Sequence, residues 1–262
     1  MTLQARNIAY ALSGKTVLDA VDVDAKAGQI TAIIGPNGSG KTSLLRAVTG
    51  EVPASGDIYL NDVPVTSKTG QRLAKSRAVL PQSSNIAFDF KVEDVVHLGL
   101  LAGVHGATPA VLSDALRCVG LAGYEARSYQ ALSGGEQQRV QLARVLAQVW
   151  QPRLNGEPCW LFLDEPVASL DVGHQLEVVD VVKDYANRGG GVVLVMHDLN
   201  LTMMMADHLI LLQQGRVLAS GAPADVLQDE VLSKAYGCQL RMGQVPQGAA
   251  GLFILPQCAT RA

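Results

Sequence analysis

The sequence predicts an α/β fold built on a mostly parallel sheet flanked by helices, and three observations carry that reading. Short uniformly apolar runs, such as ITAII at 30–34, WLFL at 160–163 and GVVLV at 191–195, have the length of strands buried on both faces. Segments with helical spacing lie between them, and alternation of strand and helix is the mark of parallel sheets. Each run also ends in glycine, polar or acidic residues, which puts chemistry at the carboxyl edge of the sheet.

The elements follow in order. VDVD at 21–24 alternates apolar and polar residues, as a half-exposed strand does, and ITAII is fully apolar, as a buried one is. GPNGSGKT (35–42) comes next and opens KTSLLRAVTG, a helix ended by Gly50. RAVL (77–80) is another short strand, stopped by Pro81. From 83 to 154 the spacing becomes helical in VEDVVHLGLLAG, PAVLSDALRCVG and GEQQRVQLARVLAQVW, which predicts an inserted helical subdomain. QPRLNGEP (151–158) reads as a polar surface loop. WLFLDE and GVVLVMHD return to strands, with the helix GHQLEVVDVVKDYANR between them. The methionines at 203–205 have the helical positions of core filler rather than of a soft-metal site. The last 24 residues suggest a short strand pair and a frayed end.

Composition sets limits. Of the 262 residues 48% are hydrophobic and 17% charged, the balance of a globular protein with ample length for a core. A net charge of −3 lacks the basic footprint of a nucleic-acid binder. Cys118, Cys159, Cys238 and Cys258 show no metal-ligand spacing and read as reduced thiols. No apolar run approaches the ~20 residues of a membrane-spanning helix, and MTLQARNIAY lacks the layout of a signal peptide. The expectation is a cytoplasmic protein that reaches any membrane through a partner.

GPNGSGKT fits G-x-x-x-x-G-K-[ST] between a strand and a helix, the context that motif requires. Gly35, Gly38 and Gly40 let the loop, with Pro36, Asn37 and Ser39, turn its available backbone N–H groups inward around phosphates. The helix start adds a favourable dipole, Lys41 neutralises the terminal phosphates, and the Thr42 hydroxyl suits Mg²⁺. Asp164 ends an apolar strand and can hold the metal's water shell, and Glu165 can orient and deprotonate an attacking water. Gln82 and His197 end two further strands and should point at the γ-phosphate.

ALSGGEQQRVQLARVLAQ (131–148) contains a second anion-binding helix start, without a lysine. Ser133 can cap the helix while Gly134 and Gly135 leave its N–H groups uncovered. Two copies meeting head to tail, each presenting this tip to the other's nucleotide, would give it a use.

GPNGSGKT, Gln82, LSGGE, LFLDEP, SLD and His197, in this order, resemble the ATP-binding subunit of ABC transporters over nearly the whole chain. The resemblance implies a phosphate-loop NTPase core at 1–82 and 155–240 with an N-terminal antiparallel β subdomain. It further implies an inserted α-helical subdomain at 83–154 and a C-terminal extension at 241–262, all within one ABC ATPase domain. It implies that residues 35–42, with Ser43, bind ATP, that Thr42 and Gln82 ligate Mg²⁺, and that Asp164 supports the metal. Glu165 would then be the catalytic base and His197 the γ-phosphate sensor. Ser133, Gly134, Gly135 and Glu136 would touch ATP across a homodimer, with Asp171 at that interface. The aromatic that usually stacks on adenine falls at Leu12 by spacing, with Tyr10 two residues earlier; either could serve.

Within the family, AFDFKVEDVVHLG is similar to the iron-chelate, haem and vitamin B12 importers, and WLFLDEPVASLDVGHQ to the haemin import ATPases. Such subunits imply a pair of membrane permease subunits, a periplasmic haem-binding protein, and a place on the cytoplasmic face of the bacterial inner membrane. The segment 88–101 suits either permease docking or plain helix packing. An iron-siderophore or vitamin B12 cargo, or a soluble ATPase without a permease, are the other readings. A phosphoryl-transferring kinase leaves LSGGE unexplained.

Overall fold

The computed structural model describes residues 1–83, 86, 88–104, 108–244 and 255–259. Its elements are β1 (Thr2–Leu12), β2 (Lys15–Lys26), β3 (Ile30–Ile34), α1 (Lys41–Val48), β4 (Ser55–Leu60), β5 (Val63–Pro64), α2 (Gly70–Leu73) and β6 (Arg77–Leu80). Three helices follow, α3 (Val92–Ala102), α4 (Pro109–Cys118) and α5 (Gly134–Gln148), then the two-residue strands β7 (Arg153–Leu154) and β8 (Glu157–Pro158). The chain continues through β9 (Trp160–Asp164), α6 (Val172–Asn187), β10 (Gly191–Val195), α7 (Leu199–Met205), β11 (His208–Gln213), β12 (Arg216–Gly221), α8 (Pro223–Val226) and α9 (Asp229–Tyr236).

Six strands form the central sheet in the order β12-β11-β3-β10-β9-β6, parallel except for β12. The alternating β1 and β2 join a separate antiparallel sheet in the order β2-β1-β4-β5.

The apolar strands bury both faces because each face meets a different layer. Ile33, Phe162, Val193 and Ile210 pack with Leu44 and Leu45 of α1 and with Leu3, Ile8 and Val23 of the antiparallel sheet. Their chain neighbours Ile34, Leu163, Leu194 and Leu211 pack with Val95 of α3, Val140 of α5 and Val179 of α6. A period of two thus divides single strands between two cores. The antiparallel sheet is pinned by polar bonds as well. Trp160 Nε1 donates to Asn61 Oδ1 at 3.0 Å, and Asn61 Nδ2 donates to the Pro158 carbonyl at 2.9 Å.

The predicted loop at 151–158 is corrected by the structure. Arg153 pairs with Pro158 and Leu154 with Glu157, forming a small hairpin. Asn155 (φ 51°) and Gly156 (φ 85°) turn it, the Asn-Gly pair being suited to a two-residue turn with both φ angles positive. Met205 is buried, and Met203 and Met204 pack against the same core. The strand pair expected in the tail falls largely on 245–254, outside the described residues; Pro256–Cys258 is a single helical turn. Among the described residues no helix is long and apolar enough to cross a membrane.

Candidate active site

The parallel register brings the predicted residues to one edge. Asp164 lies level with Val195, and Val195 with Ile33. The residues just beyond these strand ends, Glu165, His197 and the glycine loop, therefore emerge together, joined by Gln82 beyond β6. They line a cleft of about 640 Å³.

The loop geometry demands glycine at its start. Gly35 has φ 146°, and a Cβ there would lie 2.2 Å from the Leu212 carbonyl oxygen. Gly40, in the left-handed region, is the N-cap of α1, so the first N–H groups of that helix face the cleft without a side-chain cap. Lys41 is 5% exposed. Its ammonium donates to the carbonyls of Gly35 at 2.9 Å and Pro36 at 3.0 Å, so the loop's own backbone holds the cation in place. Desolvation lowers its pKa, and Glu165 and Asp164 oppose that shift.

Thr42 donates its hydroxyl hydrogen to Asp164 Oδ1 at 3.2 Å. Burial pushes the Asp164 carboxyl up to about 6, against the lowering effect of the Thr42 bond. Glu165 has φ 51°, an uncommon conformation for a non-glycine residue and one that clusters at functional sites. Its Oε1 accepts from Gln82 Nε2 at 3.0 Å and meets His197 Nε2 at 2.5 Å. The carboxylate is thereby shared between the ends of β6 and β10.

The second helix start has a different construction. The Ser133 N–H donates to Glu136 Oε2 at 2.8 Å and the Ser133 hydroxyl to the same oxygen at 2.7 Å. The Glu136 N–H returns a longer bond to Ser133 Oγ. This capping box lowers the pKa of Glu136, the Ser133 hydroxyl being the main cause. Ser133 and Gly134 are exposed, and among the described residues none of 133–136 lines the cleft. Asp171 caps α6, accepting from the His174 N–H at 3.0 Å, and that bond chiefly holds its carboxyl below the usual range.

Tyr10 and Leu12, near the end of β1, differ in their surroundings. Two register shifts in the pairing with β2, between Ile8 and Tyr10 and between Tyr10 and Ala11, each put the extra residue on β2. Tyr10 is half-buried against the core under the antiparallel sheet and Leu12 is 58% exposed. Val17, on the paired strand, lines the cleft instead. Sequence reasoning also missed Gln138, whose side-chain amide donates to the Glu165 carbonyl at 3.2 Å. No short-range pattern points to a contact spanning 27 positions.

Comparison with known proteins places this site in a class. The family model described as ABC transporter matches residues 18–168, and the chain belongs to that family, of which it is an ATP-hydrolysing cassette. Hemin import ATP-binding protein HmuV of Jannaschia sp. (strain CCS1) is 57% identical over 259 residues, 99% of this chain and 96% of that protein. The HmuV of Ruegeria sp. (strain TM1040) is 53% identical over 99% of both. Among solved structures, an ATP-binding cassette in its ADP conformation matches with TM-score 0.75 at 24% identity, covering 90% of this chain and 98% of that one. A dimeric bacterial cassette matches with TM-score 0.75 at 23% identity, covering 84% and 98%. These two likenesses concern the fold.

Proposed function

We propose that this chain is the ATPase of a bacterial haem importer. It works as a homodimer on the cytoplasmic face of the inner membrane, bound to a pair of permease subunits that receive haem from a periplasmic binding protein. The observation that carries the enzymatic part is the convergence of Lys41, Thr42 and the Gln82–Glu165–His197 cluster on one cleft, with Asp164 bonded to Thr42 behind it. The cargo rests on the names of the full-length relatives.

In this reading residues 35–43 wrap the phosphates of ATP, every one but Pro36 having a backbone N–H to offer. Lys41 exchanges two loop carbonyls for phosphate oxygens, a stronger charge-assisted partner. The oxygen donors of Thr42 and Gln82, with the buried Asp164 behind them, fit Mg²⁺, a hard cation that keeps part of its water shell. Bound there, the ion neutralises phosphate charge. Glu165 takes a proton from a water as the water oxygen bonds to the γ-phosphorus and the bridging bond to ADP breaks. His197 steadies Glu165 and the γ-phosphate. Val17 flanks the nucleotide's base, with Tyr10 or Leu12 from the neighbouring strand. Ser133, Gly134, Gly135 and Glu136 of the second copy lid the phosphates, with Asp171 at the interface.

Glu165→Gln tests the engine. It should retain ATP, accumulate a closed dimer and lose roughly 10²–10⁴-fold in turnover; normal turnover would remove Glu165 from the role of base. Reconstitution with the permease in liposomes tests the cargo. Haem-loaded binding protein should stimulate hydrolysis, whereas stimulation by siderophore- or vitamin-loaded protein alone would reassign it.

A further inference from the structure

The helix that ends in the Ser133 tip is fastened to the segment bearing Glu165. Gln138, one turn into α5, donates Nε2–H to the Glu165 carbonyl at 3.2 Å. That carbonyl also accepts the Ala168 N–H at 3.3 Å, closing the turn after β9. The next residue is Pro166, so the peptide has no N–H of its own to anchor, and its orientation depends on what the oxygen accepts. On the sheet side the Glu165 N–H donates to the Val195 carbonyl at 3.2 Å. A residue held at φ 51° is thus bound by β10 on one side and by the helical layer on the other.

A second contact joins the same two pieces. Gly135 lies so close to the 165–171 run that a Cβ would sit 3.0 Å from the Ser169 carbonyl oxygen and 3.5 Å from a Leu170 methyl. By contrast, a cavity of about 190 Å³ lies between the Pro81–Gln82 loop and Gly134, Gln138 and Gln141 of α5. The helix is therefore tied to the Glu165 segment and left loose from the Gln82 loop.

We propose that Gln138 is a positioning residue that couples the two nucleotide sites of the dimer. This rests on the proposed roles of Glu165 and of the Ser133 tip. Each chain's tip lids its partner's ATP, and the same helix orients the Glu165 that serves its own ATP. Engagement of one site consequently sets the base of the other. The neighbouring Gln137 supplies the internal contrast, because among the described residues its amide bonds the Tyr129 and Leu132 carbonyls within the helical layer.

The test compares Gln138→Met, which keeps the length and removes the donor, with Gln138→Lys, which restores one, and with Gln137→Met. Steady-state hydrolysis against ATP concentration and nucleotide binding to dilute monomer are measured in the full chain. Gln138→Met should lower kcat roughly ten- to hundredfold, as small misplacements of a reacting group do, with monomer binding unchanged. Its Hill coefficient should fall from near the dimer's ceiling of about two towards one. Gln138→Lys should recover much of both, and Gln137→Met should keep the cooperativity even where it lowers thermal stability. Wild-type kcat and cooperativity in Gln138→Met overturn the proposal, as do equal losses in all three variants. Glu165→Gln measured alongside separates the two ideas: normal turnover there withdraws the base assignment, while the coupling role is judged on the Hill coefficient.

Discussion

The chain contains two helix starts shaped for anions, and they are finished in opposite ways. At α1 the cap is a glycine with no side chain, the first turn contains a lysine that is 5% exposed, and no acidic residue stands there. At α5 the cap is Ser133, and Glu136 folds its carboxylate back over it. The first start has its counter-charge in place and its N–H groups open. The second is exposed and quiets its own dipole with a built-in anion. A complete site and an incomplete one on the same polypeptide suit an engine in which the incomplete one acts only after a neighbour delivers the nucleotide.

That contrast can be broken by moving charge at either start. Ser133→Arg should have the largest effect, removing roughly 10²–10³-fold of turnover while ATP still binds dilute monomer; weakened binding there would mean that the tip serves its own chain. Lys41→Ala acts on the other start. It should weaken ATP binding by monomer roughly ten- to a hundredfold, as loss of a hydrogen bond to a charged group does, and titration with a fluorescent nucleotide reads it.

Asp164→Asn sharpens the comparison through pH. The folded carboxyl, at about 6, lies above its ordinary 3.8. Its contribution to stability is therefore fully present below about pH 4 and lost as pH rises through about 6. Without nucleotide and metal, the Asn variant should be more stable than wild type at pH 7.5, by at most about 3 kcal/mol, and equal to it near pH 3.5. Thermal melts at both pH values check this. Glu136→Gln should have the smallest effect. Freeing the tip of its resident charge should lower the ATP concentration needed for dimer formation roughly two- to fivefold, at a slight loss of thermal stability. Light scattering during ATP titration measures it.

What the sequence revealed follows the range of the interactions. GPNGSGKT, the apolar strands and the capping Ser133 are local patterns, and each is found where its spacing predicted. The gathering of Gln82, Glu165 and His197 also followed, because parallel strands in register bring their ends to one edge whatever lies between them. Contacts that depend on how layers meet were not legible. The Trp160–Asn61 bond across 99 positions and the reach of Gln138 to Glu165 leave no periodic trace. The hairpin at 153–158 is a different case: Asn155-Gly156 signalled it, and the polar composition around that pair masked the signal.

Ile33 and Ile34 adjoin in the chain but answer to different halves of the molecule. A methyl group trimmed from one loosens the platform beneath the phosphate loop, and the same trim one position later loosens the seat of the Ser133 helix. The buried strands therefore work as a partition as much as a scaffold. Adjacent codons thus tune the packing of two different layers.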